Sequence, residues 1–332
     1  MKKLLIIIMV VAMLAVGCTT NNEVTNEAIT EVATDVVQNE SNVSEGSGDS
    51  AEETVEVMTT YVDALNREIT IETKPEKVIC LYGSFADLWY EAGGELVGII
   101  ESSTLPEPAV DLPKVGKMST PNIEAILALE PDLVIIRAGY AKQEELLNIF
   151  ETSHINVYAA DYNSFDETMT TFKNFCYING NDAVYEEKSQ PLVDGIKTLT
   201  DVDHDFSYLL LFASSKSISA KDDNITAGII DNMGGKNIAA NYSIADEESK
   251  QFSFEKILEL DPTYIFVQTM GSVEDAKARL EEDVMSNPAW ASLTAVQEGR
   301  FIYLPKELFL YKPNMKYLDA YQYISDILEG NN

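Results

Sequence analysis

Aromatic and cationic side chains follow several short apolar runs in this chain of 332 residues. Aromatic rings can lie flat on a large planar ligand, and a guanidinium neutralises anionic ligand oxygens through paired hydrogen bonds. Open parallel sheets bind ligands beyond the carboxyl ends of their strands. We therefore expect a ligand site among the residues that follow these runs, namely Tyr82, Ser84, Arg137, Tyr140, Tyr162, Ser215, Lys216, Gln268, Phe309 and Tyr311.

Direct coordination of a free metal ion has little support in the sequence. A zinc or manganese site needs a cluster of histidine and carboxylate ligands. The chain has only two histidines, His154 and His204, and they lie on opposite sides of a long predicted helix. We expect no metal site and no built-in cofactor. If the ligand contains a metal, the organic shell of the ligand must hold it.

Motifs of common enzyme classes are also missing from the sequence. There is no nucleophile elbow, no phosphate-binding glycine-rich loop and no HExxH motif. The glycines after Met233 lack the spacing of a dinucleotide fingerprint. A binding protein is therefore favoured over an enzyme. A surface or sensory protein without a closable cleft remains an alternative, and closure of the protein on addition of a ligand would separate the two.

One segment with a glutamate occurs twice. Residues 121–132 (PNIEAILALEPD) align with residues 252–263 (FSFEKILELDPT), and five positions are identical. Asn122 and Ser253 are good N-caps, so Glu124 and Glu255 each take the second position of a short helix. A single carboxylate there could simply complement the helix dipole. Its recurrence at two equivalent places indicates a paired use of the two glutamates on the surface.

The elements that carry these residues alternate between strand and helix. Apolar runs predict strands at 78–81, 96–100, 133–136 and 156–159, and again at 208–212, 264–267 and 300–304. Between these groups, residues 165–199 read as helical with a break at Asn179–Asn181. The pattern predicts an α/β lobe with a largely parallel sheet at 57–163, a linking helix region at 164–200 and a second α/β lobe at 201–330.

Two runs resemble a known family. Residues 62–71, which form a predicted hairpin with Asn66 at its turn, and then residues 75–79 are similar to the amino-terminal signature of cluster A binding proteins for siderophores, haem and cobalamin. Asn66 stands where that signature usually has glycine. The repeated Glu-x-Ile-Leu-x-Leu-x-Pro segment is also similar to that family's motif. The resemblance covers about residues 57–330 and implies two Rossmann-like lobes with central, largely parallel sheets, joined by a single long α-helix.

The same resemblance implies a role in import. Members of this family capture a metal chelate in the cleft between the lobes and deliver it to the permease dimer of an ABC importer. By motif position, Glu124 and Glu255 correspond to the glutamates that dock onto arginines of the two permease subunits. We expect a monomer that binds a ferric siderophore, with cobalamin or haem as the alternatives within the family.

The first residues indicate export and a lipid anchor. Lys2 and Lys3 precede an apolar run from Leu4 to Val16, which is shorter than the ~20 residues that a membrane-spanning helix needs. The Ala-Val-Gly end before Cys18 resembles the lipobox of bacterial lipoproteins, which implies a signal peptide at 1–17 and a lipid on Cys18. Residues 19–56 contain ten acidic and no basic residues. We expect residues 18–56 to form a disordered tether at the extracytoplasmic face of the cell membrane.

Charge and cysteine usage restrict the partners further. The formal net charge of −32 argues against nucleic acid, which binds basic surfaces. Only Cys80 and Cys176 remain beside Cys18, and two thiols do not make a disulfide framework. Both lie in apolar patterns, so we expect them to be packed core residues.

Overall fold

The computed structural model describes residues 56–102, 104–240 and 254–330. The predicted signal peptide, Cys18 and almost all of the predicted tether lie outside the described residues. No helix in the described ranges is long and apolar enough to span a membrane. The predicted lobe boundaries at 57, 164 and 201 stay predictions.

Thirteen strands occur in the described ranges. In chain order they are β1 (Glu56–Val62), β2 (Glu68–Thr73), β3 (Val78–Cys80), β4 (Gly98–Glu101), β5 (Lys114–Lys117), β6 (Thr120–Pro121), β7 (Leu133–Arg137), β8 (Asn156–Ala160), β9 (Phe206–Ser214), β10 (Ile218–Ala220), β11 (Gly235–Asn237), β12 (Tyr264–Met270) and β13 (Phe301–Tyr303). The short strands β5, β6, β10 and β11 have no clear signal in the sequence because they are too brief to show a period.

Twelve α-helices accompany these strands in the same ranges. They are α1 (Gly83–Glu91), α2 (Ile123–Ala128), α3 (Ala141–Glu144), α4 (Leu147–Thr152), α5 (Phe165–Ile178), α6 (Asp182–Thr200), α7 (Ile225–Asn232), α8 (Phe254–Leu260), α9 (Val273–Leu280), α10 (Thr294–Gln297), α11 (Lys306–Phe309) and α12 (Tyr317–Leu328). The alternation of strand and helix confirms the predicted α/β class.

Two separate sheets organise the two lobes. The first has the order β6-β5-β4-β3-β7-β8, and all its pairs are parallel except β5 with β6. The second has the order β10-β9-β12-β13, with β11 also paired to β9, and only β10 is antiparallel. The central strands are buried on both faces, which explains why they read as continuous apolar runs.

The predicted hairpin is confirmed and packs on the first lobe. β1 and β2 pair in antiparallel register, and Asn66 at the turn has φ 58°, a left-handed conformation that asparagine tolerates. The buried Asp63 carboxylate accepts hydrogen bonds from the Arg67 side chain at 2.7 Å and from the amide of Ala159 in β8 at 3.2 Å. This pair therefore fixes the hairpin onto the edge of the first sheet.

The helical stretch between the sheets breaks where the sequence predicts. α5 ends at Ile178 and α6 begins at Asp182, and Gly180 between them has φ 66°. α6 is 19 residues long, about 28 Å at 1.5 Å per residue. α5 packs into the core of the first lobe through Phe172 and Phe175, whereas α6 packs against α12 near the second sheet.

The repeated segments form equivalent structures. α2 and α8 each precede a positive-φ acidic residue, Glu130 at 49° and Asp261 at 38°, and then a proline and a parallel strand. Ile126 and Ile257, at matching positions, are both buried. The local duplication read from the sequence is therefore a duplication of helix, turn and strand.

Candidate functional site

The first candidate site is the pair of repeated helices. In α2 the Asn122 side chain accepts a hydrogen bond from the amide of Ala125 at 3.1 Å, which confirms the predicted N-cap. Glu124 is exposed at the second helical position. Glu255 takes the second position of α8, and its side chain lies outside the described part of the structure. The two segments are thus placed equivalently on the two lobes.

The second candidate site is the carboxyl edge of the first sheet. Tyr82 follows β3, and Arg137 ends β7, so both project from the same edge. The Arg137 guanidinium carbon lies 5.0 Å from the centre of the Tyr82 ring, a stacked cation–π contact. Both side chains are partly exposed. The structure therefore brings together a ring and a cation that the sequence places 55 residues apart.

A buried amide holds this edge in place. The Gln143 side chain, fully buried in α3, accepts a hydrogen bond from the Arg137 amide at 2.8 Å and donates to the Leu81 carbonyl at 2.9 Å. The Glu144 carboxylate accepts a hydrogen bond from the amide of Gly139 at 2.6 Å. The ends of β3 and β7 are thus joined by side chains, and the backbone on both sides of the ring and the cation is fixed before any ligand arrives.

A second cation, Lys312, which no sequence pattern singles out, lies behind this edge. The Lys312 side chain is only 9% exposed, its ammonium is 3.5 Å from the Asp161 carboxylate, and it donates a hydrogen bond to the Tyr162 carbonyl. Burial lowers the pKa of Lys312, Asp161 opposes that effect, and the nearby Arg137 guanidinium adds to it. The Lys312 ammonium is thus partly compensated by Asp161, and the partly exposed Arg137 guanidinium is a positive charge that an anionic ligand could reach.

Two other first-lobe residues lie on or near this edge as expected. Ser84 is partly exposed in the first turn of α1, and Tyr140 is partly exposed at the residue before α3. An open pocket continues the edge along the ends of β4 and β5, lined by Glu101, Ser102, Lys117, Met118 and Ser119. The accessible part of the edge thus extends across four neighbouring strands.

Three residues that we expected to contact the ligand are buried in the structure. Tyr162 is fully buried, Phe309 is 3% exposed and Gln268 is 4% exposed. The Tyr162 ring packs 5.4 Å from that of Phe85, and Phe309 packs 5.6 Å from Tyr323. Tyr162 follows β8, Gln268 lies within β12 and Phe309 ends α11, and all three side chains are buried in the core. We therefore no longer expect these three side chains to line the ligand surface.

Gln268 has a structural role inside the second lobe. Its side chain accepts a hydrogen bond from Asn224 at 2.9 Å, and donates to the Thr226 hydroxyl at 2.9 Å and to the Phe309 carbonyl. This network ties the end of β12 to α7 and α11. It resembles the role of Gln143 in the first lobe, since each glutamine fixes loops at its own sheet edge.

The remaining second-lobe residues are more accessible. Ser215 and Lys216 are exposed in the turn between β9 and β10, where the Ser214 hydroxyl accepts a hydrogen bond from the Lys216 amide at 3.2 Å. Tyr311 is partly exposed after α11, and Met270 at the end of β12 is 55% exposed. The second edge therefore offers the exposed cation Lys216 and apolar surface.

Neither histidine belongs to a cluster of potential metal ligands in the described ranges. His154 is in an exposed turn after α4 with φ 57°, and His204 is partly buried before β9. Within the described ranges, no group of three His, Cys, Asp or Glu side chains could hold a metal ion. Cys80 and Cys176 are free and buried, as predicted. Burial raises the pKa of each of these thiols to about 12.

Comparison with known proteins identifies the class. Residues 78–308 match the model of the periplasmic binding protein family, so the chain belongs to that family. One relative is the Fe(3+)-citrate-binding protein YfmC of Bacillus subtilis, 27% identical over 242 residues, 70% of this chain and 73% of that protein. The vitamin B12-binding protein of Vibrio cholerae is 24% identical over 76% of this chain and 89% of its own length.

The fold is shared with solved structures. Staphylococcus aureus SirA complexed with staphyloferrin B superposes with a TM-score of 0.63 at 19% identity, covering 82% of this chain and 97% of that one. This similarity confirms the two-lobed architecture inferred from the sequence.

Proposed function

We propose that this chain is the substrate-binding lipoprotein of an ABC importer and that it captures an anionic iron chelate, namely a ferric siderophore. The observation that carries the proposal is the Tyr82–Arg137 stack at the first sheet edge, with the Lys312 ammonium behind it. A ferric siderophore offers a flat, oxygen-rich and usually anionic surface. Such a surface matches a ring that can stack and a guanidinium that can make two hydrogen bonds.

The chelate brings its own metal shell. The described edge offers rings, hydroxyls and cations, and these groups bind ligand oxygens rather than a bare ion. The relative that binds ferric citrate supports an anionic iron complex. Lys216 and Tyr311 of the second lobe would contact the same ligand from the opposite side.

Delivery and anchoring complete the proposal. Glu124 and Glu255 would dock onto basic residues of the permease dimer, because paired charges favour orientation and encounter rate. A lipid on Cys18 would hold the chain at the extracytoplasmic face of the cell membrane. A mass measurement of the mature amino terminus tests the anchor, since Cys18→Ser would abolish the lipid mass without changing the folded domain.

Cobalamin is the second candidate, and haem follows from the family resemblance alone. The vitamin B12-binding relative matches over 89% of its length, and the pocket at the ends of β4 and β5 is open to solvent. Cobalamin needs no cationic partner, so Arg137 distinguishes the two candidates: its loss weakens binding of an anionic chelate and spares cobalamin.

Thermal-shift screening of the purified chain tests the proposal. The probes are ferric citrate, ferric hydroxamate and catecholate siderophores, haemin, cyanocobalamin, ZnCl₂ and MnCl₂. A ligand at 100 times its Kd stabilises the native state by about 2.7 kcal/mol, which raises Tm by about 5–10 °C. We expect that rise with a ferric siderophore and not with its iron-free form. A response to bare Zn²⁺ or Mn²⁺ alone would contradict the proposal, and closure without transport would favour a sensory role.

A further inference from the structure

A short segment after α11 leaves the second lobe and inserts into the first. Lys312 and Asn314 lie on either side of the buried Pro313, and both contact residues of the first lobe. Lys312 meets Asp161 and the Tyr162 carbonyl, at the end of β8. We call residues 312–314 the clasp.

Asn314 makes the most specific of these contacts. Its side-chain amide donates to the Ser84 carbonyl and to the Asp87 carboxylate, each at 2.8 Å, and its oxygen accepts from the Tyr162 hydroxyl at 2.6 Å. The residue is 1% exposed and has φ 51°, a backbone conformation that asparagine adopts more easily than most residues. Both donor hydrogens and the acceptor are therefore used in a buried setting.

These partners are the supports of the proposed ligand edge. Ser84 and Asp87 belong to the first two turns of α1, which begins immediately after Tyr82. The Phe85 ring between them lies 4.7 Å from the Tyr82 ring and 5.4 Å from the Tyr162 ring. On its other side the clasp is continuous with Tyr311. Asn314 thus connects the first-lobe edge to the second-lobe edge through a chain of contacts.

We propose that Asn314 is a positioning residue that ties the two lobes together and keeps the cleft preformed in the free protein. The chain between β8 and β9 is one covalent connection between the lobes, and a single connection would leave freedom to hinge. The clasp is a second, non-covalent tie on the ligand side. This inference concerns the ligand-free chain, so its test does not depend on which ligand the protein binds.

Hydrogen–deuterium exchange of the ligand-free chain provides the test. Without the clasp, α1 should open locally, so Asn314→Ala should speed exchange in peptides covering 83–91 by about tenfold or more. The matched control is Asn179→Ala, which removes an amide that is also buried but bonds only to the Phe175 carbonyl of its own helix. We expect that control to leave the 83–91 peptides unchanged when both variants are compared at equal global stability.

Two milder variants keep the test decisive if Asn314→Ala folds poorly. Tyr162→Phe removes one hydroxyl and retains the ring, and we expect a smaller increase in exchange confined to the same peptides. Asn314→Asp cannot donate to Ser84 and places a second carboxylate beside Asp87, so its effect should exceed that of Tyr162→Phe. Equal exchange in 83–91 for the wild type, both Asn314 variants and Tyr162→Phe, or an increase spread evenly over the whole chain, would overturn the inference.

Discussion

The two lobes share two features and differ in a third. Each has a short helix with a glutamate at its second position, a left-handed acidic residue and a proline before a buried parallel strand. Each also uses a buried glutamine to fix its sheet edge, Gln143 in the first lobe and Gln268 in the second. The edges themselves are unlike. The first holds Arg137 against a ring with Lys312 behind it, and the second holds Lys216 free in a turn.

The shared helices and the unlike edges fit two different proposed roles, docking to the permease and binding of the ligand. Equivalent helices are what the proposed docking requires, since each of two permease subunits would meet one glutamate. Unlike edges are what the proposed ligand requires, since it would present two different sides to them. We infer that the first edge supplies fixed charge and that the second supplies adaptable surface.

The largest expected effect concerns the repeated helices. Reversing both charges with Glu124→Lys and Glu255→Lys places like charges against basic permease residues, so uptake of the ⁵⁵Fe-labelled chelate should fall to background. Affinity of the purified variant should change by less than about twofold, because distant sites act independently. The matched control, Glu186→Lys with Glu187→Lys on the exposed face of α6, makes the same charge change and should transport normally. Normal uptake by the docking variant would mean that both glutamates only complement the dipoles of their helices and do not dock onto the permease.

The next largest effect contrasts the two edges. Arg137→Ala should weaken binding of an anionic chelate about 10- to 100-fold, as a charged hydrogen-bond donor contributes about 1.5–3 kcal/mol. Lys216→Ala should weaken it by less than about threefold, because an exposed ammonium contributes little. Isothermal titration with one ferric siderophore measures both. A larger loss for Lys216→Ala would reverse the assignment of fixed and adaptable sides.

The glutamines give a third comparison. Gln143→Leu and Gln268→Leu each leave buried polar groups without partners, so each should lower the free energy of unfolding by about 2–4 kcal/mol. Only Gln143→Leu should also lower ligand affinity, because its side chain holds the Arg137 amide. Urea unfolding and titration of the same two preparations separate these outcomes. Equal affinity of both variants would mean that the Arg137 backbone needs no support.

The smallest expected effect concerns alkylation of the two buried cysteines of the first lobe, which we expect not to react while the lobe is folded. Because burial raises the pKa of Cys80 and Cys176 to about 12, almost no thiolate exists at pH 8. Iodoacetamide should leave both unmodified in the native chain and alkylate both in guanidinium, as peptide mapping would show. Modification of Cys80 under native conditions would indicate that the first edge opens, contrary to the fixed role given to it.

Elements with strong local patterns could be predicted from the sequence. The hairpin, the break at Gly180 and the repeated helices follow from apolar periodicity, positive-φ residues and capping chemistry. Arg137 and Tyr82 could be selected because parallel strands bring their carboxyl ends to one edge.

The clasp could not be predicted in this way. Asn314 contacts residues 152 and 230 positions away in the chain, and nothing near it in sequence signals those contacts. Lys312 closely follows Phe309 and Tyr311 in sequence, and the rings at those two positions are the stronger candidates for stacking on a ligand. The burial of Tyr162 is equally non-local, since Asn314 and Phe85 together enclose it.

The most direct test is a crystal structure of the chain with a ferric siderophore, using the anomalous signal of iron to locate the ligand. We predict one iron position between the two sheet edges, with ligand oxygens in hydrogen-bond contact with the Arg137 guanidinium and the ligand against the Tyr82 ring. Iron bound elsewhere on the surface, or bound directly by protein side chains without the siderophore, would contradict the account.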